Sequence, residues 1–464
     1  MTGRIHAPGA PPEGLLGSAG LRRLADAGLE AAAASGAVDA EVVLQRDWGG
    51  LTRFANCEIH QNVWVEDLVA RVRAVTADGR VGVAGAHGFH AADVAGAADA
   101  AVALARISPP DPEFPGLAGP AKAGPVPVDD ATLWLSPADR AAAVGAALAQ
   151  VPRGHDAAGA YRTGGSELAV VTSAGQRAYT PLSSAELTLV VMGPNSSGYA
   201  EAGGRSASDV DPAATARTAV AKARAATDPV EVAPGTWPVV LEPAATGTLV
   251  QFLSYLGFGG RDWLEGRAFT SRRLGEQVVD AKVTIVDDAA AANTIGFPFD
   301  YEGTPKQRVE LIRDGVARAV VHDRHSAARA GTRSTGHGLP APNPHGPVAT
   351  NAIMLPGEHG TVDDLVAGTD RALLVTRFHY TNVVHPLETA ITGMTRDGTF
   401  LIAEGTVRQA ARNLRFTQSI LDALAEVEAV SSQTAFASDL FFGGGRYPGL
   451  RLPAFSFTGT TTFA

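Results

Sequence analysis

A polar segment in the second half of the chain carries the residue types best suited to metal chemistry. It spans residues 377–386 after a buried-looking strand, contains His379 and His385, and is followed by Glu388. Imidazole and carboxylate groups bind zinc, so these three side chains could form a metal site. The alternative is that both histidines are neutral and hydrogen-bonded within a loop. In either case a polar cluster at a strand end is a common place for a ligand cleft, which Asn382 would also line.

Two shorter segments carry carboxyl, hydroxyl and imidazole groups. Asp300 and Glu302 lie in a tight turn at residues 300–305, where they could act as acid and base if burial shifted a pKa. The alternative is that this turn caps the next element and holds its loop. A glycine-hinged loop at 333–338 contains Ser334 and His337, but Ser334 has no evident base beside it, so a nucleophilic serine is not indicated.

The standard catalytic signatures are absent from the sequence. It has no G-x-S-x-G elbow, no Walker loop and no glycine fingerprint of a dinucleotide-binding fold after a strand. No histidine is followed by glutamate, so an H-E-x-x-H motif cannot occur. His322 and His325 have ligand-like spacing, but we expect both to be solvated surface histidines.

Composition excludes several classes of protein. The 38 Lys and Arg residues against 48 Asp and Glu give a net charge of −10, so nucleic acid is not expected as the main ligand. The single cysteine, Cys57, excludes an internal disulfide and a cysteine-cluster zinc site. No stretch approaches 18 uncharged apolar residues, and the Pro/Gly-rich start lacks an apolar signal core, so no membrane association and a cytoplasmic location are expected.

The elements of the first half follow a helix–strands–helix order that occurs twice. Helical patterns lie at 21–35, 90–107, 136–150 and 213–227. Strand-like runs lie at 40–46, 51–59, 63–76, 81–86, 159–162, 167–173, 176–181 and 185–193. This order predicts an α+β domain over residues 19–231, preceded by a flexible arm at 1–18.

A proline-rich segment at 108–128 interrupts that domain. We expect a long surface excursion within it, and an interdomain linker is the alternative. Many short strands between Gly/Pro turns then predict a β-rich domain over residues 232–464. Its one clear helix, at 244–256, contains an apolar stripe with helical offsets of 3, 4 and 7. The stripe consists of Leu249, Phe252, Leu253 and Leu256.

The segment F-D-Y-E-G-T-P at 299–305, followed by L-I-R-D-G-V at 311–316, resembles the D-D-E-G-T-P…L-I-E-N-G block of the TldD/PmbA family. Further similar blocks occur in the same order. They lie at 334–338, 351–357, 397–405, 413–416 and 453–455. The resemblance covers nearly the whole chain, most strongly from Trp237 onward.

The resemblance implies a role because the family has two arms. TldD-like proteins resemble metalloproteases with an H-E-x-x-x-H helix, whereas PmbA-like (TldE) proteins lack it and pair with a TldD-like partner. In the corresponding helix of this chain, Gln251 and Leu256 align with the two histidines of the motif. Phe252 aligns with its glutamate. TldD-like chains also have a cysteine late in the second domain. In this chain His379 lies near the corresponding position.

We therefore expect a non-hydrolytic TldE/PmbA-like subunit of a complex that cleaves unfolded peptides, with a barrel-like C-terminal domain. This chain would bind no cofactor, and a TldD-like partner would supply zinc and the general base. The alternatives are a divergent metal hydrolase that uses His379, His385 and Glu388, and a non-enzymatic peptide-binding homodimer. The candidate cleft consists of Asp300, Glu302, Ser334, His337, His379, Asn382 and His385.

Overall fold

The computed structural model of the protein describes residues 4–5, 14–292, 294–439 and 443–461. Most of the predicted arm at 1–18 lies outside these residues. The described part of the arm begins with a short strand that pairs with the N-terminal sheet, and the first helix begins at Gly17. No helix in the described ranges combines the length and the apolar character needed to cross a lipid bilayer.

The N-terminal domain is built on one antiparallel sheet of seven strands. The strands are β1 (Arg4–Ile5), β2 (Asp39–Ala55), β3 (Glu58–Val75), β4 (Val81–His87), β5 (Asp156–Thr172), β6 (Arg177–Met192) and β7 (Ser197–Gly204). Their order across the sheet is β1-β3-β2-β5-β6-β7, and β4 also pairs with β3. The sheet therefore joins both halves of the predicted repeat into one layer.

Several strands are longer than the sequence patterns predicted. The run at 40–46 and residues 51–55 belong to one continuous β2, because Gly49 and Gly50 do not break the strand, and residues 56–59 form the turn and the start of β3. A Cβ atom on Gly50 would lie 1.8 Å from the guanidinium carbon of Arg140, so glycine is needed for this close approach. The chain reverses instead at Asn56 and Cys57, both of which have positive φ, as two-residue hairpin turns require.

Five α-helices accompany this sheet in the part of the N-terminal half that the structure describes. They are α1 (Gly17–Ala34), α2 (Ala91–Ile107), α3 (Asp130–Leu133), α4 (Pro137–Leu148) and α5 (Pro212–Ala225). The Ser136 and Asp211 side chains accept hydrogen bonds from the first turns of α4 and α5, and each cap precedes a proline that favours a helix start. The apolar sides of α1 and α2 and those of α4 and α5 form separate clusters on the sheet.

The proline-rich segment at 108–128 has strands of the same sheet on both sides of it in the chain, β4 before and β5 after. The carbonyl oxygen of Ala118 accepts a hydrogen bond from Thr172, 2.7 Å away. The carbonyl oxygen of Leu117 accepts one from Arg324 of the C-terminal half, at 3.0 Å. The segment therefore lies across the contact between the two halves of the chain.

Eleven strands lie in the described residues of the C-terminal half. They are β8 (Gly235–Leu241), β9 (Ile285–Asp287), β10 (Val309–Arg313), β11 (Val316–Ala317), β12 (Ala352–Met354), β13 (Arg371–His385), β14 (Ala390–Ala403), β15 (Thr406–Ala410), β16 (Leu414–Ser419), β17 (Ala429–Asp439) and β18 (Gly443–Thr460). Five of them, in the order β8-β18-β16-β14-β13, close into a ring through the parallel pair β13–β8. The predicted α+β architecture with a barrel-like C-terminal domain is confirmed.

The described ranges of this half also include six helices. They are α6 (Pro243–Gly257), α7 (Gly260–Leu264), α8 (Thr270–Arg273), α9 (Arg324–Arg329), α10 (Val362–Ala367) and α11 (Ile420–Ala423). The small sheet β11-β10-β9-β12 lies beside the barrel, and α6 packs against β12, β13, β17 and β18. The predicted apolar stripe of α6 is confirmed, since all four of its residues belong to the core.

Replacement of Phe252 by alanine should lower the free energy of unfolding by about 3–5 kcal/mol, because the ring is 4% exposed and its removal leaves a cavity. Urea denaturation followed by circular dichroism measures this change. Thr248→Ala on the outer side of α6 is the matched control and should change stability by about 0.5 kcal/mol or less. A loss below about 1 kcal/mol for Phe252→Ala would show that α6 is not a core helix.

Candidate functional site

The carboxylate of Asp300 joins the two loops that the sequence singled out separately. One of its oxygens accepts the backbone N–H groups of Glu302 and Thr304, at 3.0 and 2.9 Å. The other oxygen accepts the backbone N–H of Gly338 at 2.8 Å. Asp300 is buried, and its three N–H partners fix the turn at 300–305 against the loop at 333–338.

Glu302 is a second buried carboxyl group in the same turn. It accepts the backbone N–H of Arg324 at 2.9 Å, and its other oxygen lies 3.8 Å from the Arg73 guanidinium. Burial, and then the nearby charge of Asp300, raise the pKa of Glu302 to about 8. Burial likewise raises the pKa of Asp300 to about 6, against its backbone hydrogen bonds. At neutral pH Glu302 therefore keeps its proton and Asp300 is mostly ionised.

The turn at 300–305 also attaches the C-terminal half to the N-terminal sheet. The side chain of Gln176 donates a hydrogen bond to the carbonyl oxygen of Gly303. Gly303 has φ +76, and a Cβ atom there would approach the Gln176 side chain to 2.8 Å. Phe299 packs against a patch on the sheet face. The patch consists of Val43, Leu168 and Val170.

His337 lies at the base of the site in a buried chain of hydrogen bonds. Its Nε2 is 2.8 Å from Asp287, whose other oxygen accepts the backbone N–H of Asn351 at 2.7 Å. Burial lowers the pKa of His337, so the ring is neutral and its Nε2–H donates to the carboxylate. Nδ1, 2.9 Å from the Thr335 hydroxyl, is then the acceptor nitrogen.

Lys306 faces a cavity of 390 Å³ beside this chain. Its ammonium group donates hydrogen bonds to the Thr350 hydroxyl and, at 2.8 Å, to the side-chain oxygen of Asn351. Burial lowers the pKa of Lys306. The cavity lies between the two halves of the chain, because Ser166 and Leu182 of the N-terminal sheet form part of its lining.

A second cavity, of 470 Å³, shares Gly338 and Leu339 with the first. Its lining is more polar and includes Arg73, Glu302 and Arg329. Both cavities lie along the loop after His337, at the contact between the N-terminal sheet and the C-terminal half, and together they are called the groove. Asp300, Glu302 and His337, all predicted to line a cleft, come together in this groove.

Ser334 takes a local structural role. Its hydroxyl donates to the carbonyl oxygen of His322 at 3.0 Å and accepts the backbone N–H of Gly336 at 3.1 Å. The prediction that His322 lies on the surface is wrong. Its ring is buried, 3.1 Å from the Ser326 hydroxyl, and forms an edge contact with Trp263.

The segment at 377–386 is not a loop beside this groove. His379 and His385 lie in β13 and Asn382 between them is paired with β14, because Phe378 anchors the strand in the core against two other aromatic rings. None of the three lines either cavity. Within the described ranges, no three His, Cys, Asp or Glu side chains are arranged to hold a metal ion, so Glu388 does not complete a site with them.

The three residues of α6 that the sequence resemblance aligned with a metal motif have other contacts. Gln251 donates its side-chain N–H to the carbonyl oxygen of Ser438 at 3.0 Å. Phe252 and Leu256 are buried in the hydrophobic core. Neither of the latter offers a donor atom to zinc or a base for its water, so no catalytic step is assigned to α6.

Two carboxyl groups near α6 form hydrogen bonds between the two halves of the chain. Glu186 and Glu201 of the N-terminal sheet lie 2.8 and 3.0 Å from the Ser438 hydroxyl. Burial raises the pKa of Glu201, which also accepts the Tyr199 hydroxyl at 2.9 Å. These contacts attach β17 to β6 and β7.

Sequence reasoning missed Lys306, Asp287 and Asn351. They are single polar residues in separate segments, and no motif spacing joins them. One signal was available, since the chain has only four lysines among its 38 basic residues. A lysine directly after the turn at 300–305 is therefore unusual in this composition.

Comparison with known proteins gives a consistent result. Residues 234–459 match the family model described as the PmbA/TldA metallopeptidase C-terminal domain. The metalloprotease TldD homolog of Buchnera aphidicola is 31% identical over 156 residues, which cover 32% of this chain and 31% of that protein. The TldD homolog of Haemophilus influenzae is 31% identical over 166 residues, 35% of this chain and 34% of that protein.

A solved structure shares the whole fold. TldE from Thermococcus kodakarensis superposes with a TM-score of 0.82 at 19% identity, over 93% of this chain and 99% of that one. The matches to the two curated relatives, by contrast, span about a third of their length. The similarity in structure shows the fold, and the similarity in sequence is concentrated in part of the chain.

Replacement of Glu302 by glutamine should reduce the pH dependence of stability. Gln keeps an acceptor for the Arg324 N–H but cannot ionise. The folded-state pKa of Glu302, about 8, lies above its ordinary value of 4.5, so folded wild type binds a proton that the unfolded chain releases. The free energy of unfolding of wild type should therefore fall as pH rises between these two pKa values, by up to about 1.4 kcal/mol per pH unit.

Urea denaturation at a series of pH values from 7 to 8 measures this slope where Asp300 is already mostly ionised. Glu302→Gln should lose most of it and be the more stable protein at pH 8. Exposed Glu426→Gln is the matched control and should follow wild type. If the free energy of unfolding changes with pH in parallel for wild type and Glu302→Gln, Glu302 is ionised in the folded protein.

Proposed function

The chain belongs to the TldD/PmbA family of metalloprotease-related proteins, and we propose that it is the non-hydrolytic, TldE/PmbA-like subunit of a complex that cleaves unfolded peptides. In this proposal a TldD-like partner supplies the zinc ion and the general base. The chain described here supplies part of the wall of the substrate cavity and the dimer interface. The complex works in the cytoplasm.

The side chains of α6 are the observation that supports this proposal most strongly. The helix follows β8, as the resemblance predicts for the motif helix, and the resemblance aligns Gln251, Phe252 and Leu256 with the motif positions. The last two are core residues whose removal would cost folding energy. The helix thus supports a structural role in a fold that otherwise matches TldE over 93% of the chain.

The groove between the two halves supports a role in holding substrate. It contains charged and apolar walls, and its backbone segments at 294–299 and 338–343 lack regular secondary structure over most of their length. An extended peptide can be held through its backbone in such a groove with little dependence on sequence. Unfolded peptides, as opposed to folded proteins, can adopt that extended form.

The purified chain alone should not hydrolyse a fluorogenic unfolded peptide, with or without added zinc, because α6 offers no ligand set. Addition of a TldD-like protein from the same cell should produce zinc-dependent hydrolysis. The assay is the initial rate at equal protein concentration for each chain and for the mixture. Hydrolysis by the chain alone that requires zinc and disappears in His379→Ala would favour the divergent-hydrolase alternative.

The chain should form a dimer, with a TldD-like protein or with itself, that buries roughly 2,000 Å² or more. Exposed apolar side chains at the end of the β13–β14 hairpin, Tyr380, Val384 and Leu387, are the part of the surface that we expect at the interface. Light scattering at micromolar concentration, on the chain and on the mixture, measures the mass.

Val384→Glu should weaken this association by placing a charge in an apolar contact. Val38→Glu is the matched control, because Val38 is equally exposed on the N-terminal half. A monomeric mass for both samples of wild type would rule out the dimer. Equal effects of the two substitutions would place the interface elsewhere.

A further inference from the structure

The ammonium group of Lys306 has unused hydrogen-bonding capacity at the wall of the 390 Å³ cavity. An ammonium has three N–H donors, and two of them go to the Thr350 hydroxyl and the Asn351 side-chain oxygen. In the part of the chain that the structure describes, Lys306 makes no ion pair. The third N–H is therefore available to a molecule in the cavity, and an acceptor there would complete the group.

The surrounding charges favour a neutral acceptor. Asp287 and Asp300 already act on Lys306 as opposite charges, and Asp300 lines the cavity beside it. A ligand carboxylate would add a further negative charge near these two, and a ligand cation would be repelled by Lys306. An uncharged hydroxyl or carbonyl oxygen accepts the N–H without either cost.

The larger part of the exposed lining is apolar, beside polar groups of Ser166, His337 and Thr350. Its main contributors are Leu182, Ile295, Phe297, Phe299, Leu339 and Pro340. A volume of 390 Å³ lies in the range of small-molecule sites, about 300–1,000 Å³. Phenylalanine side chains pack on aromatic rings in edge and offset-stacked geometries, so a planar ring fits such a wall with its polar end toward Lys306.

We propose that this cavity binds a phenolic ring, as in a tyrosine side chain, whose oxygen accepts a hydrogen bond from the Lys306 ammonium group. A phenol is a neutral group that combines a flat apolar ring with one acceptor oxygen. The inference rests on the proposed function for the position of the peptide cleft but needs no partner chain. The ligand could be a free phenol or a tyrosine residue of a bound peptide.

Isothermal titration calorimetry on the isolated chain tests this site with two neutral probes, N-acetyltyrosinamide and N-acetylphenylalaninamide. Wild type should bind the tyrosine probe about tenfold more tightly, since a hydrogen bond to a charged donor is lost with the phenylalanine probe. Lys306→Met should reduce this preference to about twofold or less. Lys282→Met, at an exposed lysine, is the matched control and should keep it.

Phe297→Ala is a second variant that changes the wall and leaves Lys306 in place. It should weaken both probes and keep the preference for tyrosine. Titration with p-cresol separates the two sources: binding as tight as that of N-acetyltyrosinamide indicates a free phenol, and weaker binding indicates a peptide residue. Equal affinity of wild type for the two amides, absence of binding, or an unchanged preference in Lys306→Met would overturn the proposal.

Because this experiment uses the isolated chain, its failure leaves the masses measured for the dimer unaffected. A monomeric mass in the mixture would in turn leave the affinities of the probes unaffected. The two proposals therefore fail separately.

Discussion

The buried carboxylate of Asp300, with three backbone N–H partners, fixes the turn at 300–305, through which the C-terminal half contacts the N-terminal sheet beside the groove. A buried charge is costly unless it is hydrogen-bonded, so the turn at 300–305 and the loop at 333–338 must stay together. Because the turn is held in place, Glu302 lies near Arg73, and the carbonyl oxygen of Gly303 accepts a hydrogen bond from the Gln176 side chain. This arrangement also places His337 and Lys306 along one groove.

The groove and α6 belong to one C-terminal half but differ in the chemistry they retain. The groove keeps ionisable side chains whose pKa values are shifted by burial, which is typical of functional sites. The helix α6 instead has Gln251 hydrogen-bonded to Ser438, and Phe252 and Leu256 are buried in the hydrophobic core. A chain that holds a ligand and leaves the metal chemistry to a partner would have this distribution.

The sequence predicted what depends on local pattern and missed what depends on distant contacts. The stripe of α6 was predictable, because offsets of 3, 4 and 7 place residues on one helix face. The long strand through Gly50 was not, because the residue that packs on it, Arg140, lies 90 positions later. His379 was expected in a loop, since a polar strand with one buried face resembles a polar loop in sequence. The pairing of His337 with Asp287 joins residues 50 positions apart, and no spacing rule predicts it.

The zinc content of this chain decides whether it is the metal-free member of a peptidase complex, as proposed, or a metal enzyme by itself. Mass spectrometry of zinc should be done on the isolated chain and on its purified complex with a TldD-like protein. We expect well below one zinc per isolated chain, and about one zinc per pair of chains in the complex. About one zinc per isolated chain, retained after dialysis against a weak chelator, would contradict it.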